Sequence, residues 1–231
     1  MFRPPQPRWI LAALAAALLG TPAFGQFGLF HHGTSSGFKS YGRITSFLLN
    51  APLHSPPLAS LAQFPLKSFT YALYPTDALG IDGMVPGDAA TGEPTMIPVE
   101  RGLYDHSQDE KNPFEFQVIK ATPAELPKAP GRQALLVYSV LYTGQSLANC
   151  TGIVQVMELD HGQLMLAQQF SYDCRGGAGA DWNAKKRQLT LRAARYAPGD
   201  RKCCPSEYDM VQFKLDGKDI KTGRIVLNTV Q

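Results

Sequence analysis

A series of short apolar runs separated by turn residues constrains the fold of this chain most. The runs lie at residues 68–74, 95–99, 114–121, 134–143, 150–159, 163–174, 187–196, 208–215 and 224–230. Runs of this length, bounded by Gly, Pro, Asn and Asp, are typical of β-strands. Beyond residue 25 no stretch has the spacing of an amphipathic helix. The sequence therefore predicts an all-β protein with an antiparallel sheet, curled or sandwich-like, and long irregular N-terminal loops.

The first 25 residues have the order of segments found in a secretory signal peptide. Arg3 and Arg8 precede an apolar run at 9–19, and small residues follow it as far as Gly25. A basic segment, an apolar segment and a small-residue segment mark a leader, and the run is shorter than the about 20 residues that span a bilayer. We expect cleavage after Gly25 and a soluble mature chain without a transmembrane anchor, periplasmic or secreted.

Removing the leader lowers the formal net charge from +3 to +1, because Arg3 and Arg8 leave with it and no acidic residue does. This balance argues against nucleic acid as a partner, since phosphate binding needs clustered Lys and Arg. The adjacent His31 and His32 lack a third ligand, so no metal site and no cofactor are predicted. The expected partner is an envelope protein or a small ligand, and the oligomeric state stays open.

The composition divides the chain into three parts. Residues 26–66 are rich in Gly, Ser, Pro and His, with only short apolar bursts. Such a composition is typical of an irregular lead-in to a domain. We therefore predict a signal peptide at 1–25, an irregular N-terminal arm at 26–66 and a single β-rich domain at 67–231. Within that domain, the glycine-rich stretch 175–183 is predicted to be a mobile connection between strands.

Two of the four cysteines fall on one predicted hairpin. Asp160, His161 and Gly162 supply its turn, and pairing about that turn places Cys150 nearly opposite Cys174, at the open end. Strict alternation along the second strand predicts that Cys174 shares one face with Leu164, Leu166, Phe170 and Tyr172. Export permits disulfides, so a Cys150–Cys174 bond at the core is predicted.

The other two cysteines, Cys203 and Cys204, are adjacent and are followed by Pro205. Neighbouring Cα atoms are about 3.8 Å apart, whereas relaxed disulfides have roughly 4.4–6.8 Å between Cα atoms. A bond between the two is therefore expected to be strained and easily reduced; otherwise each pairs elsewhere or stays free. Arg201 and Lys202 would favour a thiolate here. A structural staple and a redox or ligand-contact site are both open.

The surrounding pattern resembles that of a known group of proteins. Asp200, Cys203, Cys204, Pro205 and Ser206 lie between two predicted strands. This Asp-x-x-Cys-Cys-Pro-Ser arrangement is similar to that of exported bacterial proteins which include the LppP/LprE lipoprotein family. The resemblance covers about residues 133–220 and implies an envelope or secreted location with no established activity. The chain lacks the lipid-attachment cysteine of those lipoproteins, and its Cys150/Cys174 pair has no counterpart in the pattern.

Three functions are compatible with these features. The leader, the β pattern and the lack of a catalytic residue set favour a non-enzymatic binding or structural protein of the bacterial cell envelope. Thiol–disulfide redox chemistry or redox sensing at Cys203-Cys204 is the alternative, although no C-x-x-C pair on a thioredoxin-like frame is present. A cell-envelope hydrolase would need paired carboxylates that converge in the fold. The candidate acids are Asp109, Glu110, Asp181 and Asp209.

The leader generates the first testable prediction. In a bacterial host, the protein recovered outside the cytoplasm is expected to begin at Gln26, because cleavage follows Gly25. Mass spectrometry of the intact protein from each cell fraction measures this. Gly25→Leu, which removes the small residue at the cleavage site, should leave an uncleaved form. Recovery of the uncleaved chain in the cytoplasm alone would contradict the prediction.

Overall fold

The computed structural model describes residues 39–74, 93–111, 113–125, 133–144, 148–201, 203–218 and 225–230. The predicted signal peptide, the His31–His32 pair and Lys202 lie outside these ranges. All the described residues belong to one compact unit. No helix among them is long and apolar enough to cross a membrane.

Within these ranges the chain forms thirteen β-strands and no α-helix, which confirms the predicted all-β class. The strands are β1 (Lys39–Tyr41), β2 (Ile44–Pro52), β3 (Thr70–Leu73), β4 (Thr95–Pro98), β5 (Leu103–His106), β6 (Phe114–Glu125), β7 (Gln133–Thr143), β8 (Asn149–Asp160), β9 (Gln163–Asp173), β10 (Gly179–Asn183), β11 (Gln188–Arg195), β12 (Glu207–Lys218) and β13 (Ile225–Thr229).

The strands form two sheets and a separate hairpin, and their pairings are antiparallel. The larger sheet has seven strands in the order β1-β2-β9-β8-β7-β6-β5, and the smaller has four in the order β10-β11-β12-β13. The hairpin consists of β3 and β4. From β5 to β9 the connections between consecutive strands are too short for a crossover to a parallel strand, so these strands pair antiparallel.

The seven-stranded sheet is covered on both faces. A first apolar group, here called the sheet–sheet cluster, lies between it and the four-stranded sheet and includes Tyr138, Val154, Phe170, Leu191 and Phe213. A second group, the hairpin cluster, lies on the opposite face under β3, β4 and residues 53–69 and includes Phe64, Tyr71, Ile97, Leu141 and Ile153. Because both faces are covered, β7, β8 and β9 are buried almost continuously instead of alternating between buried and exposed residues.

A β-bulge in β9 changes which side chains face each cluster. Val156 pairs with Gln168 and Met157 pairs with Leu166, so Ala167 is the extra residue. An extra residue reverses the alternation beyond it. Leu164 and Leu166 accordingly pack in the hairpin cluster, while Phe170 and Tyr172 pack in the sheet–sheet cluster. The prediction that these four residues share one face was wrong for this reason.

Just beyond the bulge, the adjacent buried residues Gln168 and Gln169 point to opposite faces, as neighbouring strand residues do, and each holds one covering layer. The Gln168 side chain accepts from the Leu227 N–H at 2.9 Å and donates to the Leu227 carbonyl at 3.3 Å, which attaches β13. The Gln169 side chain accepts from the Tyr74 N–H at 3.2 Å and donates to the Tyr74 carbonyl at 2.9 Å, just beyond β3. Each amide thereby satisfies both backbone groups of one residue in the dry interior.

The prediction of an irregular arm at 26–66 was wrong for residues 39–52, which form β1 and β2. The short apolar bursts there complete the edge of the seven-stranded sheet: Ile44 is fully buried and pairs with Tyr172. The turn between the strands is held from the other sheet, because the N–H of Arg43 donates to a carboxylate oxygen of Asp209 at 2.9 Å. Pairing with β9 and the hydrogen bond to β12 hold residues 39–52 in strands, although their local composition does not indicate strands.

Gly152 generates a prediction about packing. It pairs with Tyr172, whose ring occupies the space that a side chain at 152 would need. Gly152→Ala is therefore expected to destabilise the protein by about 1–3 kcal/mol through overpacking. Gly179 also lies in a strand, but a methyl group there meets nothing within 4 Å. Gly179→Ala is the matched control and should be neutral or stabilising by about 0.4–1 kcal/mol.

Equilibrium unfolding in urea, followed by tryptophan fluorescence, measures both variants. Equal changes in the free energy of unfolding for Gly152→Ala and Gly179→Ala would contradict the packing argument.

Candidate functional site

The first disulfide joins the open ends of β8 and β9 and confirms the predicted Cys150–Cys174 bond. Its Cα atoms are 5.3 Å apart, within the range of relaxed disulfides. The N–H of Cys174 donates to the Cys150 carbonyl at 3.1 Å, which continues the ladder past Thr151 and Asp173. Both cysteines are half-buried, and Cys174 packs against the sheet–sheet cluster.

The second disulfide joins the adjacent residues Cys203 and Cys204. It occupies a tight turn, which is closed by the N–H of Cys204 donating to the Arg201 carbonyl at 2.9 Å. Both cysteines are exposed, whereas the following Pro205 is buried. All four cysteines are therefore paired. Cys150 is bonded to Cys174 and Cys203 to Cys204, so no disulfide joins the hairpin to the adjacent pair.

Asp200 closes the loop that carries this disulfide. Its Oδ2 accepts three hydrogen bonds: from the N–H of Ala197 at 2.8 Å, from the N–H of Ser206 at 2.8 Å and from the Ser206 hydroxyl at 2.9 Å. These donors lower the pKa of Asp200, the N–H of Ser206 most and that of Ala197 next. The residues on either side of Cys203 and Cys204 are thereby held to one carboxylate.

Pro205 attaches the disulfide turn to the segment that follows Cys174. Its ring lies against Gly176, where a side chain would overlap it. Gly176 also has a φ of +60°, in the left-handed region that glycine adopts most readily. Glycine is thus needed at this position for two reasons, its backbone conformation and the close approach of Pro205.

Two side chains of the four-stranded sheet donate hydrogen bonds to the carbonyls of Gly176 and Gly177. The Tyr208 hydroxyl donates to the Gly176 carbonyl, and the Arg192 guanidinium donates to the Gly177 carbonyl. The guanidinium also lies 5.2 Å from the centre of the Tyr208 ring, at the range of a cation–π contact. The predicted mobile connection at 175–183 is therefore a 3-10 turn at Arg175–Gly177, followed by strand β10.

A buried ion pair fixes the start of this turn. Asp173 is fully buried and accepts from Nε of Arg175 at 2.9 Å and from Nη2 at 2.5 Å. Donation of hydrogen bonds to Asp173 raises the pKa of Arg175, so the guanidinium stays protonated. The Arg175 guanidinium also lies 4.9 Å from the centre of the Tyr196 ring. The end of β9 is thus tied to the strand that leads into the disulfide loop.

These contacts define a continuous region, here called the vicinal-disulfide surface. Met210 extends it, because Met210 pairs with Arg192 and is on the same outward face of β12 as Tyr208. The surface consists of Gly176, Arg192, Cys203, Cys204, Pro205, Tyr208 and Met210.

The structure brings together the predicted residues Asp200, Cys203, Cys204, Pro205 and Ser206. Sequence reasoning did not assign Asp173, Arg175, Arg192 and Tyr208 to the site. The Gly176-Gly177 pair, one residue beyond Cys174, was the available signal, because glycines near a disulfide indicate close approach of another chain segment. Which segment approaches is decided by the packing of β12 on β9.

The four candidate acids of a hydrolase do not converge. Asp109 lies in the turn after β5 and accepts from the N–H of Lys111 and contacts His106. Asp209 lies on β12 and contacts Arg43 and Arg195 near β1, and β1 and β5 are opposite edges of the seven-stranded sheet. Glu110 and Asp181 are exposed. In the described part of the chain no three His, Cys, Asp or Glu side chains are grouped to hold a metal ion.

No family model, curated protein or solved structure matches the chain. The resemblance to the LppP/LprE lipoprotein family therefore stays a prediction. What the structure adds is a physical reason for the spacing of the pattern, since Asp200 reaches past Cys203 and Cys204 to Ser206.

The Asp200 contacts generate a prediction about pH. Because the folded pKa of Asp200 lies below its unfolded value, the contacts stabilise the loop above that unfolded value, about 3.9, and are lost as the pH falls through the folded value. At neutral pH, Asp200→Asn should increase amide hydrogen exchange at Ala197 and Ser206 several-fold over wild type. Below both pKa values, the two proteins should exchange at the same rate.

Residue-resolved hydrogen exchange measures these rates, and the ratio of the variant to wild type removes the intrinsic pH dependence of exchange. Ser206→Ala is the partial control, because it removes only the hydroxyl donor. A ratio that stays constant from neutral to acidic pH would contradict the role of the Asp200 carboxylate.

Proposed function

We propose that this chain is an exported, non-enzymatic binding protein of the bacterial cell envelope, and that the vicinal-disulfide surface contacts its partner. The signal-peptide pattern supports export. The disulfides support it as well, because such bonds persist in oxidising compartments and are rare in the cytosol.

The single observation that carries the proposed binding role is an exposed apolar area on a firmly held frame. Met210 is 65% exposed and Tyr208 is 37% exposed, and Tyr208 holds Gly176, which lies against the Pro205 that follows the exposed Cys203–Cys204 disulfide. Large apolar side chains in one exposed area are typical of interaction surfaces. The hydrogen bonds of Tyr208, Arg192 and Asp200 fix the frame, so little conformational entropy remains to be lost on binding.

The chemistry of the surface indicates what kind of group it binds. Methionine sulfur, a disulfide and a tyrosine ring are polarisable, and they contact aromatic or aliphatic groups favourably. Arg192 lies at the edge of this area and is exposed. The proposed partner is an envelope protein or a small ligand that presents an aromatic or aliphatic group.

Site-specific photocrosslinking in bacterial cells tests the proposal. A photoreactive amino acid replaces Met210 in one strain. In a control strain it replaces Met96, an exposed methionine (42%) on β4 of the separate hairpin. A discrete adduct from position 210 and not from position 96 is expected in the envelope fraction. The adduct should weaken when Cys203→Ser and Cys204→Ser are introduced together.

Identical adducts from positions 210 and 96, or no adduct from either, would reject the vicinal-disulfide surface as the binding site.

A further inference from the structure

We propose that the Cys203–Cys204 disulfide is a reversible thiol-exchange site, which reacts with small thiols or with cysteine thiols of other exported proteins. This activity goes beyond the proposed binding role and does not depend on it. It rests on three features: the access of an attacking thiol, a frame that survives opening of the bond, and the charge beside the pair.

Access distinguishes the two disulfides. Cys203 and Cys204 are both exposed, and they are followed by the buried Pro205, so the bond lies at the outside of its turn. Cys150 and Cys174 are half-buried, and Cys174 packs against the sheet–sheet cluster. Thiol–disulfide exchange needs a thiolate to reach a disulfide sulfur, and exposed disulfides are the labile ones. The exposed pair is therefore expected to react first.

The frame of the turn does not depend on the disulfide. Asp200 binds Ala197 on one side of the pair and Ser206 on the other. Pro205 is held against Gly176, and Gly176 is held by Tyr208. When the bond opens, the two sulfurs remain on neighbouring residues of a restrained loop. Such proximity gives a high effective concentration of one thiol for the other, so closure competes well with any external thiol.

The chemical step balances as follows. The thiolate of an external thiol attacks one sulfur of the pair; the Cys203–Cys204 bond breaks, and its electron pair leaves on the other sulfur as a thiolate. A mixed disulfide to the external group has then formed. A second external thiol attacks the external sulfur of that mixed disulfide and releases the remaining cysteine. Two thiols are oxidised to one disulfide, and Cys203 and Cys204 gain two electrons and two protons.

The charge beside the pair favours this chemistry. Arg201 is exposed and its carbonyl accepts from the N–H of Cys204, so a permanent cation is within the same turn. A neighbouring guanidinium stabilises a thiolate, the form that leaves and the form that reattacks. The nearest carboxylate in the loop, that of Asp200, is engaged by three donors, which reduces its repulsion of a thiolate.

Glutathione titration of the mature protein tests the proposal. The folded protein is exposed to mixtures of reduced and oxidised glutathione, alkylated and mapped by mass spectrometry. Cys203 and Cys204 should become alkylated or glutathionylated at least tenfold faster than Cys150 and Cys174, with unchanged circular dichroism. On removal of reduced glutathione, the Cys203–Cys204 bond should return. Reduction of Cys150–Cys174 first, or equal rates for both bonds, would overturn the proposal.

Single substitutions keep the test decisive if the pair closes too fast to observe. Cys204→Ser leaves Cys203 without its resolving partner, and Cys203→Ser does the converse, so oxidised glutathione should give a persistent adduct in each. Arg201→Gln should slow adduct formation at the same thiol, while Arg201→Lys should restore most of the rate. Failure of both single variants to form an adduct in the folded state would also overturn the proposal.

Discussion

The extra residue in β9 is the constraint on which the layered arrangement depends. A regular β9 would turn one set of alternate residues to each face along its whole length. The bulge at Ala167 instead gives Leu164 and Leu166 to the hairpin cluster and Phe170 and Tyr172 to the sheet–sheet cluster. A strand buried on both faces can thus supply large apolar groups to each layer where the layer needs them.

Two adjacent glutamines just beyond the bulge attach the covering layers through backbone groups of those layers. Gln168 and Gln169 point to opposite faces, and each side-chain amide pairs with both backbone groups of a residue in the layer above it. A truncated glutamine would leave a backbone N–H and a carbonyl in the dry interior, at a cost of about 1–3 kcal/mol for each group. These amides therefore determine where β13 and the end of β3 lie on the central sheet.

The vicinal-disulfide surface depends on this layering. The end of β9 carries Cys174 and continues into the Gly176 turn, and the four-stranded sheet carries Tyr208 and Arg192. Only when the smaller sheet packs on β9 do the glycine turn and Pro205 meet. The exposed disulfide thus lies in a turn that is held where the end of β9 meets the smaller sheet.

The sequence by itself determined the all-β class, most of the strands and the Cys150–Cys174 bond, because alternation and turn residues are local and the turn brings the two cysteines nearly opposite each other. It also marked the motif from Asp200 to Ser206, although not the residues of other strands that hold it. Only the tertiary structure decided the face of Leu164 and Leu166, the order of residues 39–52 and the contact of Pro205 with Gly176. Each of these depends on a bulge or on a partner strand distant in the chain, and local sequence carries no signal for such pairing.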